Sequence, residues 1–133
     1  MSEIDLPVTA FYAGLLGLLS VFVANRVLKA RLNAKDYPEW KEETNLRIQG
    51  NFVENVPLAL VLLLVIELGG VPGSWIHVFG ASLVLFRVLH AWGMSYNPGA
   101  TYPRLIGAQG TFVLMSIMSM AAIYLYLPTF FAG

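Results

Sequence analysis

The chain has 133 residues, 57% hydrophobic and only 12% charged, with a formal net charge of zero and no cysteine. A soluble domain carries roughly 25% charged residues, so the composition excludes an ordinary water-soluble domain, and no nucleic-acid partner is expected. The lack of cysteine excludes disulfides, thiolate metal sites and a protein-borne thiol nucleophile, so any thiol chemistry must use a thiol supplied by a ligand.

Four apolar stretches exhaust the sequence and predict a single domain, residues 1–133. It is all-α, an integral-membrane four-helix bundle of up-down topology. The first helix is expected over about 6–32. It lacks a basic flank before it and a small-residue cleavage site after it, which predicts a retained helix and not a cleaved signal peptide. Its Ala10, Ala13, Gly14 and Gly17 lie at four-residue spacings (10/14 and 13/17), a pattern that lets helix backbones approach closely. A polar loop follows, and the second helix is expected over about 44–68. The run Gly69-Gly70-Val71-Pro72-Gly73-Ser74 is a turn. The third helix is expected over about 75–95, a turn begins at Tyr96-Asn97-Pro98-Gly99, and the fourth helix covers about 104–127 before Pro128. The Leu58–Ile66 run and Met115, Met118 and Met120 are packing and lipid-facing positions. Glu67 falls at the far interface as a solvated group, and His77 is given no role.

All eight basic residues gather at one end of this bundle. Arg26, Lys29, Arg31, Lys35, Lys41 and Arg47 surround the first loop, and Arg87 and Arg104 flank the third. The other end has Glu3, Asp5 and Glu67 and no basic residue. The positive-inside rule predicts that the first and third loops are cytoplasmic and both termini lie on the opposite side, in a multi-pass protein of a bacterial inner membrane.

The chemistry concentrates where the second helix begins. Arg47, Asn51, Glu54 and Asn55 fall at i, i+4, i+7 and i+8, one stripe of a helix, with Gln49 beside it. Ionisable groups in a spanning helix are costly and usually mark function. Pro57 removes the helical donor of the Val53 carbonyl and adds a second polar feature there. Arg87 and His90 share a face of the third helix. Arg87 needs a counter-charge, and Glu54 is the only carboxylate at similar depth, so a direct Arg87–Glu54 contact is expected. Arg31 and Arg104 reach the same rim. Each is read either as a headgroup anchor or, together with Arg47 and Arg87, as part of a cluster that fits an anionic, peptide-like ligand. Tyr102 either hydrogen-bonds such a ligand or, the favoured reading, belongs to the interfacial aromatic belt with Tyr37, Trp40 and Tyr96.

The segment Arg47-x-Gln49-x-Asn51-x-x-Glu54-x-x-Pro57, with Arg87-x-x-His90 and an arginine opening the fourth helix, resembles the MAPEG family, membrane-associated proteins of eicosanoid and glutathione metabolism. The resemblance covers essentially the whole chain and is greatest to short bacterial members. It implies a homotrimer with glutathione bound between protomers near the cytoplasmic face, contacted by Arg47, Gln49, Asn51, Glu54, Arg87 and the His90 position. It also implies that arginines at the end of the first helix and the start of the fourth approach the thiol, here Arg31, with Lys29 or Arg26 as alternatives to it, and Arg104. Two positions depart from the pattern. Gly50 stands where one eicosanoid synthase has a basic residue, and Met94 where those synthases have a glutathione-contacting tyrosine.

The resulting expectation is a glutathione-dependent transferase or peroxidase acting on hydrophobic electrophiles that arrive from the bilayer. Arg104, then Arg31, would stabilise the thiolate. The alternatives are a non-catalytic binding or scaffold protein of the same fold and, third, a small proton-coupled transporter using Glu54.

Overall fold

The computed structural model describes residues 5–97, 99 and 101–132; the expectations that involve Glu3 and Pro98 lie outside them. Four helices follow one another: α1 Val8–Leu32, α2 Glu39–Leu68, α3 Gly73–Tyr96 and α4 Tyr102–Ala132, with a 3-10 turn at Ala34–Asp36 between the first two. Each is long and apolar enough to cross a membrane. α2 packs against all three other helices, and the most extensive pairing is α3 with α4.

Two helices differ most from the sequence-based expectation, and α3 begins at Gly73, inside the expected turn. α2 begins at Glu39, several residues before the expected start near 44. Pro38 sets the extended backbone before the helix, Glu39 and Glu42 sit in its first turn, and carboxylates there complement the helix dipole. α4 starts at Tyr102 and continues through Pro128 to Ala132. Pro103 falls in the first turn, where its missing N–H costs nothing. Pro128 removes one hydrogen bond near the end without terminating the helix.

The main core joins Leu16 of α1, Leu63 and Ile66 of α2, Ile76 and Leu83 of α3 and Met118 of α4, all essentially inaccessible. A smaller cluster of Val23, Ile48 and Met94 lies toward the basic end. Met94 is therefore an interior packing residue, which accounts for the apolar side chain at that departure from the family pattern. The close backbone approach falls on α3 and α4 and not on the α1 small residues. A methyl at Gly107 would run into the carbonyl of Phe86 and the backbone of His90, whereas one at Gly14 or Gly17 would meet nothing. Ala10, Gly14 and Gly17 of the α1 pattern are exposed on the bundle surface.

The far end is fastened by side chains. Glu67 is not merely solvated. Its carboxylate accepts the N–H groups of Val8 (2.5 Å) and Thr9 (2.8 Å) and the Thr9 hydroxyl (2.7 Å). It thereby caps a helix whose own preceding residue, Pro7, provides no side-chain cap. His77, given no role from the sequence, hydrogen-bonds the Tyr12 hydroxyl at 2.7 Å. Glu67→Ala is expected to destabilise the protein by about 1–3 kcal/mol, the range for a lost cap and charge-assisted hydrogen bonds. A lower melting temperature in detergent, with Thr9→Val reproducing part of the loss, checks this.

Candidate functional site

The polar stripe on α2 meets α3 and α4 through one arginine. Arg87 retains 2% exposure. Its Nη2 donates to Oδ1 of Asn51 at 2.7 Å, its Nη1 lies 3.5 Å from the Thr111 hydroxyl, and the guanidinium carbon sits 5.7 Å from the centre of the Phe52 ring. Arg87 Nε is buried without a partner. One α3 side chain thus ties together α2 and α4. Thr111 donates its own proton to the Gly107 carbonyl at 2.7 Å, and Asn55 donates to the Asn51 carbonyl at 2.9 Å. The Gly107 contact brings α3 and α4 close enough for Arg87 to reach Thr111.

The expected Arg87–Glu54 contact is not formed. Asn51 occupies the inward edge of the stripe and takes the guanidinium. Glu54, one turn further along, points to the surface of the bundle and is exposed. Among the described residues Glu54 has no hydrogen-bond or ion-pair partner. A bare carboxylate within a membrane-length helix is costly, so this surface calls for a covering partner or ligand.

The other candidates lie nearer the rim. Arg47 is exposed and pairs with Glu43 one turn earlier at 2.7 Å. Arg31 is exposed, with its Nε 3.7 Å from Glu42 Oε1. The four arginines therefore do not converge within the bundle: Arg31 and Arg47 each have a glutamate, and Arg87 is locked inside. Arg104 is half-buried, with Nη1 3.3 Å from the Gly99 carbonyl. Its backbone N–H lies 3.4 Å from the Thr101 hydroxyl, and that backbone packs directly on Gly93 of α3. His90, 4% exposed, is in the same α3/α4 seam opposite Gly107, with Nδ1 unpartnered. Gln49 and Gly50 are half-buried beside the stripe, and Tyr102 is 83% exposed, as expected of an interfacial aromatic.

Sequence reasoning missed Thr111 and Phe52 as the neighbours of Arg87. Thr111 lies seven residues after Arg104, two turns along the same face, which is the signal that would have found it.

A family model described as the MAPEG family matches residues 9–124. The chain is similar to the inner membrane protein YecN of Escherichia coli K12, at 29% identity over 91% of this chain and 93% of that one. The same values hold for YecN of Escherichia coli O6:H1. No solved structure matches.

Proposed function

This chain belongs to the MAPEG family, and from that premise we propose that it is a homotrimeric, glutathione-dependent transferase or peroxidase of a bacterial inner membrane, acting on hydrophobic electrophiles. The observation that carries the reading is the Glu54 surface. It presents an unpartnered carboxylate backed by the Arg87–Asn51 link, with Arg47 and Gln49 alongside. A neighbouring protomer laid on that surface would complete a site that one protomer leaves open. The inner-membrane placement follows the name carried by the YecN relatives. The basic ends face the cytoplasm by the positive-inside rule.

Glutathione suits the residues present. Its ammonium matches the Glu54 carboxylate, and its carboxylates match Arg47 once Glu43 gives way. Arg87 is better assigned to positioning than to direct contact, because its best-placed nitrogen already holds Asn51. An ordinary thiol has a pKa near 8.5 and is only a few per cent thiolate at pH 7. A guanidinium beside the sulfur favours the anion, and Arg104, half-buried in the α3/α4 seam, is first choice for that role. Arg31 is second, since Glu42 already partly neutralises it. In transfer, the sulfur forms a bond to the electrophilic carbon as the leaving group departs. In peroxide reduction it attacks one peroxide oxygen, the O–O bond breaks and the alcohol leaves, and a second glutathione displaces water from the resulting sulfenic acid to give the disulfide. The apolar co-substrate would arrive from the bilayer between protomers, and proximity to the held sulfur would supply much of the rate.

Titrating the purified protein with glutathione while following thiolate absorbance at neutral pH is expected to show saturable binding with a rising thiolate signal. No binding at millimolar concentration overturns the proposal. Binding without turnover across a broad electrophile panel would instead assign the scaffold role.

A further inference from the structure

At the end remote from the basic residues, α4 outruns its neighbours. It has 31 residues, against 25 in α1 and 24 in α3. Leu125 is the last side chain joined to the core, and its Cδ1 sits 2.9 Å from the place a methyl on Gly69 would take, at the turn between α2 and α3. Every described side chain after it, from Tyr126 to Ala132, is exposed. None of these residues is charged, and they include Phe130, 64% exposed, and Phe131, 78% exposed.

Exposed aromatics show where the membrane boundary falls. Trp75 and Tyr96 stand 21 residues apart on α3, and Tyr102 and Tyr124 stand 22 apart on α4. At 1.5 Å per residue these spacings are about 32 and 33 Å. That is close to the roughly 30 Å hydrocarbon core, whose two edges Trp and Tyr favour. Trp75 and Tyr124 thus mark the far edge. Phe130 and Phe131 follow Tyr124 by six and seven residues, about 9–10 Å along a straight helix. The headgroup layer is only about 5–8 Å deep on each side, so a straight α4 would carry both rings into water. Two features oppose that. Pro128 has no N–H for the Tyr124 carbonyl, so α4 can bend there. Ala122, Ile123, Tyr126, Leu127 and Phe130 line one open apolar groove that runs across the boundary level and continues the lipid-facing side of the helix.

We propose that the turn after Pro128 folds over onto the bilayer and seats Phe130 and Phe131 among the headgroups and upper acyl chains of the far leaflet, as an interfacial anchor for α4. The partner is the lipid surface itself. Apolar side chains on a surface-lying turn bind at that depth by burying area. The groove belongs to one helix and has no polar edge beyond the Tyr126 hydroxyl, whereas a protein interface is rimmed by polar groups. Residues 102–132 carry a single charge, Arg104, at the opposite end of the helix. The anchor therefore responds to depth and not to lipid charge. It lies at the other end of the bundle from the basic rim and does not depend on the glutathione reading.

The chain has no cysteine, so one introduced thiol carries a spin label at a single position. Ala132→Cys keeps both phenylalanines, while Tyr124→Cys and Lys35→Cys give references for the boundary and for water. The measurement is collision of the label with oxygen, which concentrates in lipid, and with a water-soluble nickel chelate. It is made in vesicles of phosphatidylcholine with and without phosphatidylglycerol. The label at 132 is expected to favour oxygen as the label at 124 does, equally in both vesicles. Phe130→Ser with Phe131→Ser should shift it to the nickel-accessible values of position 35, with the melting temperature unchanged because neither ring packs in the core. Pro128→Ala keeps both rings and should shift it the same way by straightening the helix. The two variants act independently, so poor expression of one leaves the other decisive. Water-like values without either variant, a depth that depends on phosphatidylglycerol, or a depth that neither variant moves would each overturn the proposal. A label shielded from both reagents would also overturn it, because a second copy or another protein would then cover the turn. None of these results bears on whether glutathione binds at Glu54.

Discussion

Arg87→Met is expected to leave the protein folded, with a melting temperature in detergent equal to or above that of the parent, and to weaken glutathione binding by about tenfold or more. Arg87 is a buried cation with no carboxylate at salt-bridge distance among the described residues. It has one short hydrogen bond to Asn51, one long approach to Thr111 and an orphaned Nε. Desolvating a charge costs several kcal/mol, and replacing such a group by an apolar residue of similar volume is often neutral or stabilising. Methionine has that volume and can pack against Phe52. The partners it strands are neutral: Thr111 keeps its bond to the Gly107 carbonyl, and Asn51 is only half-buried. The charge-assisted bond to Asn51 is worth about 1.5–3 kcal/mol. If its role is to hold Asn51 for a ligand, that energy appears as affinity, at least about tenfold. Arg87→Lys should not restore binding, because a single ammonium cannot fork between α2 and α4. A large loss of stability with unchanged glutathione affinity would make Arg87 a packing device and remove it from the site.

Most of the architecture is legible in the sequence, because spanning helices announce themselves by length and apolarity and their loops by breaker residues. The α2 start is not, since 39–43 is polar throughout. It is helical because Pro38 and the early glutamates set up a first turn and Glu43 reaches Arg47 one turn on. The stripe Arg47, Asn51, Glu54 and Asn55 is readable from helical periodicity. What periodicity does not carry is the rotation of α2 against α3. That rotation decides that Asn51 meets Arg87 and that Glu54 is left outside, with Phe52 of α2 packed against the Arg87 guanidinium. The Glu67 cap is hidden for a different reason. Capping rules look within a few residues of a helix start, and Glu67 is 58 residues from Thr9.

Arg104→Ala is expected to lower turnover at pH 7 by roughly 25-fold while changing glutathione affinity by much less. A free thiol with a pKa near 8.5 is about 3% thiolate at pH 7; lowered by about two units, it is about 76% thiolate. Removing the guanidinium returns the sulfur to the first condition and leaves Glu54, Arg47 and the Arg87–Asn51 link to hold the rest of the tripeptide. The sign gives a sharper test than the magnitude. Turnover by the parent should be nearly flat above about pH 7.5, whereas the variant should rise about tenfold per unit up to about pH 7.5 and reach about half the parent rate at pH 8.5. Arg104→Lys keeps a positive charge near the sulfur and should lie between the two. The backbone of Arg104 packs on Gly93 and receives the Thr101 cap whatever its side chain, so α4 should start normally in all three proteins. A parallel loss at every pH, or an affinity loss as large as the loss in turnover, would assign Arg104 to holding glutathione and move the thiolate role to Arg31. Arg31→Ala measured over the same pH range would then show the rising profile instead.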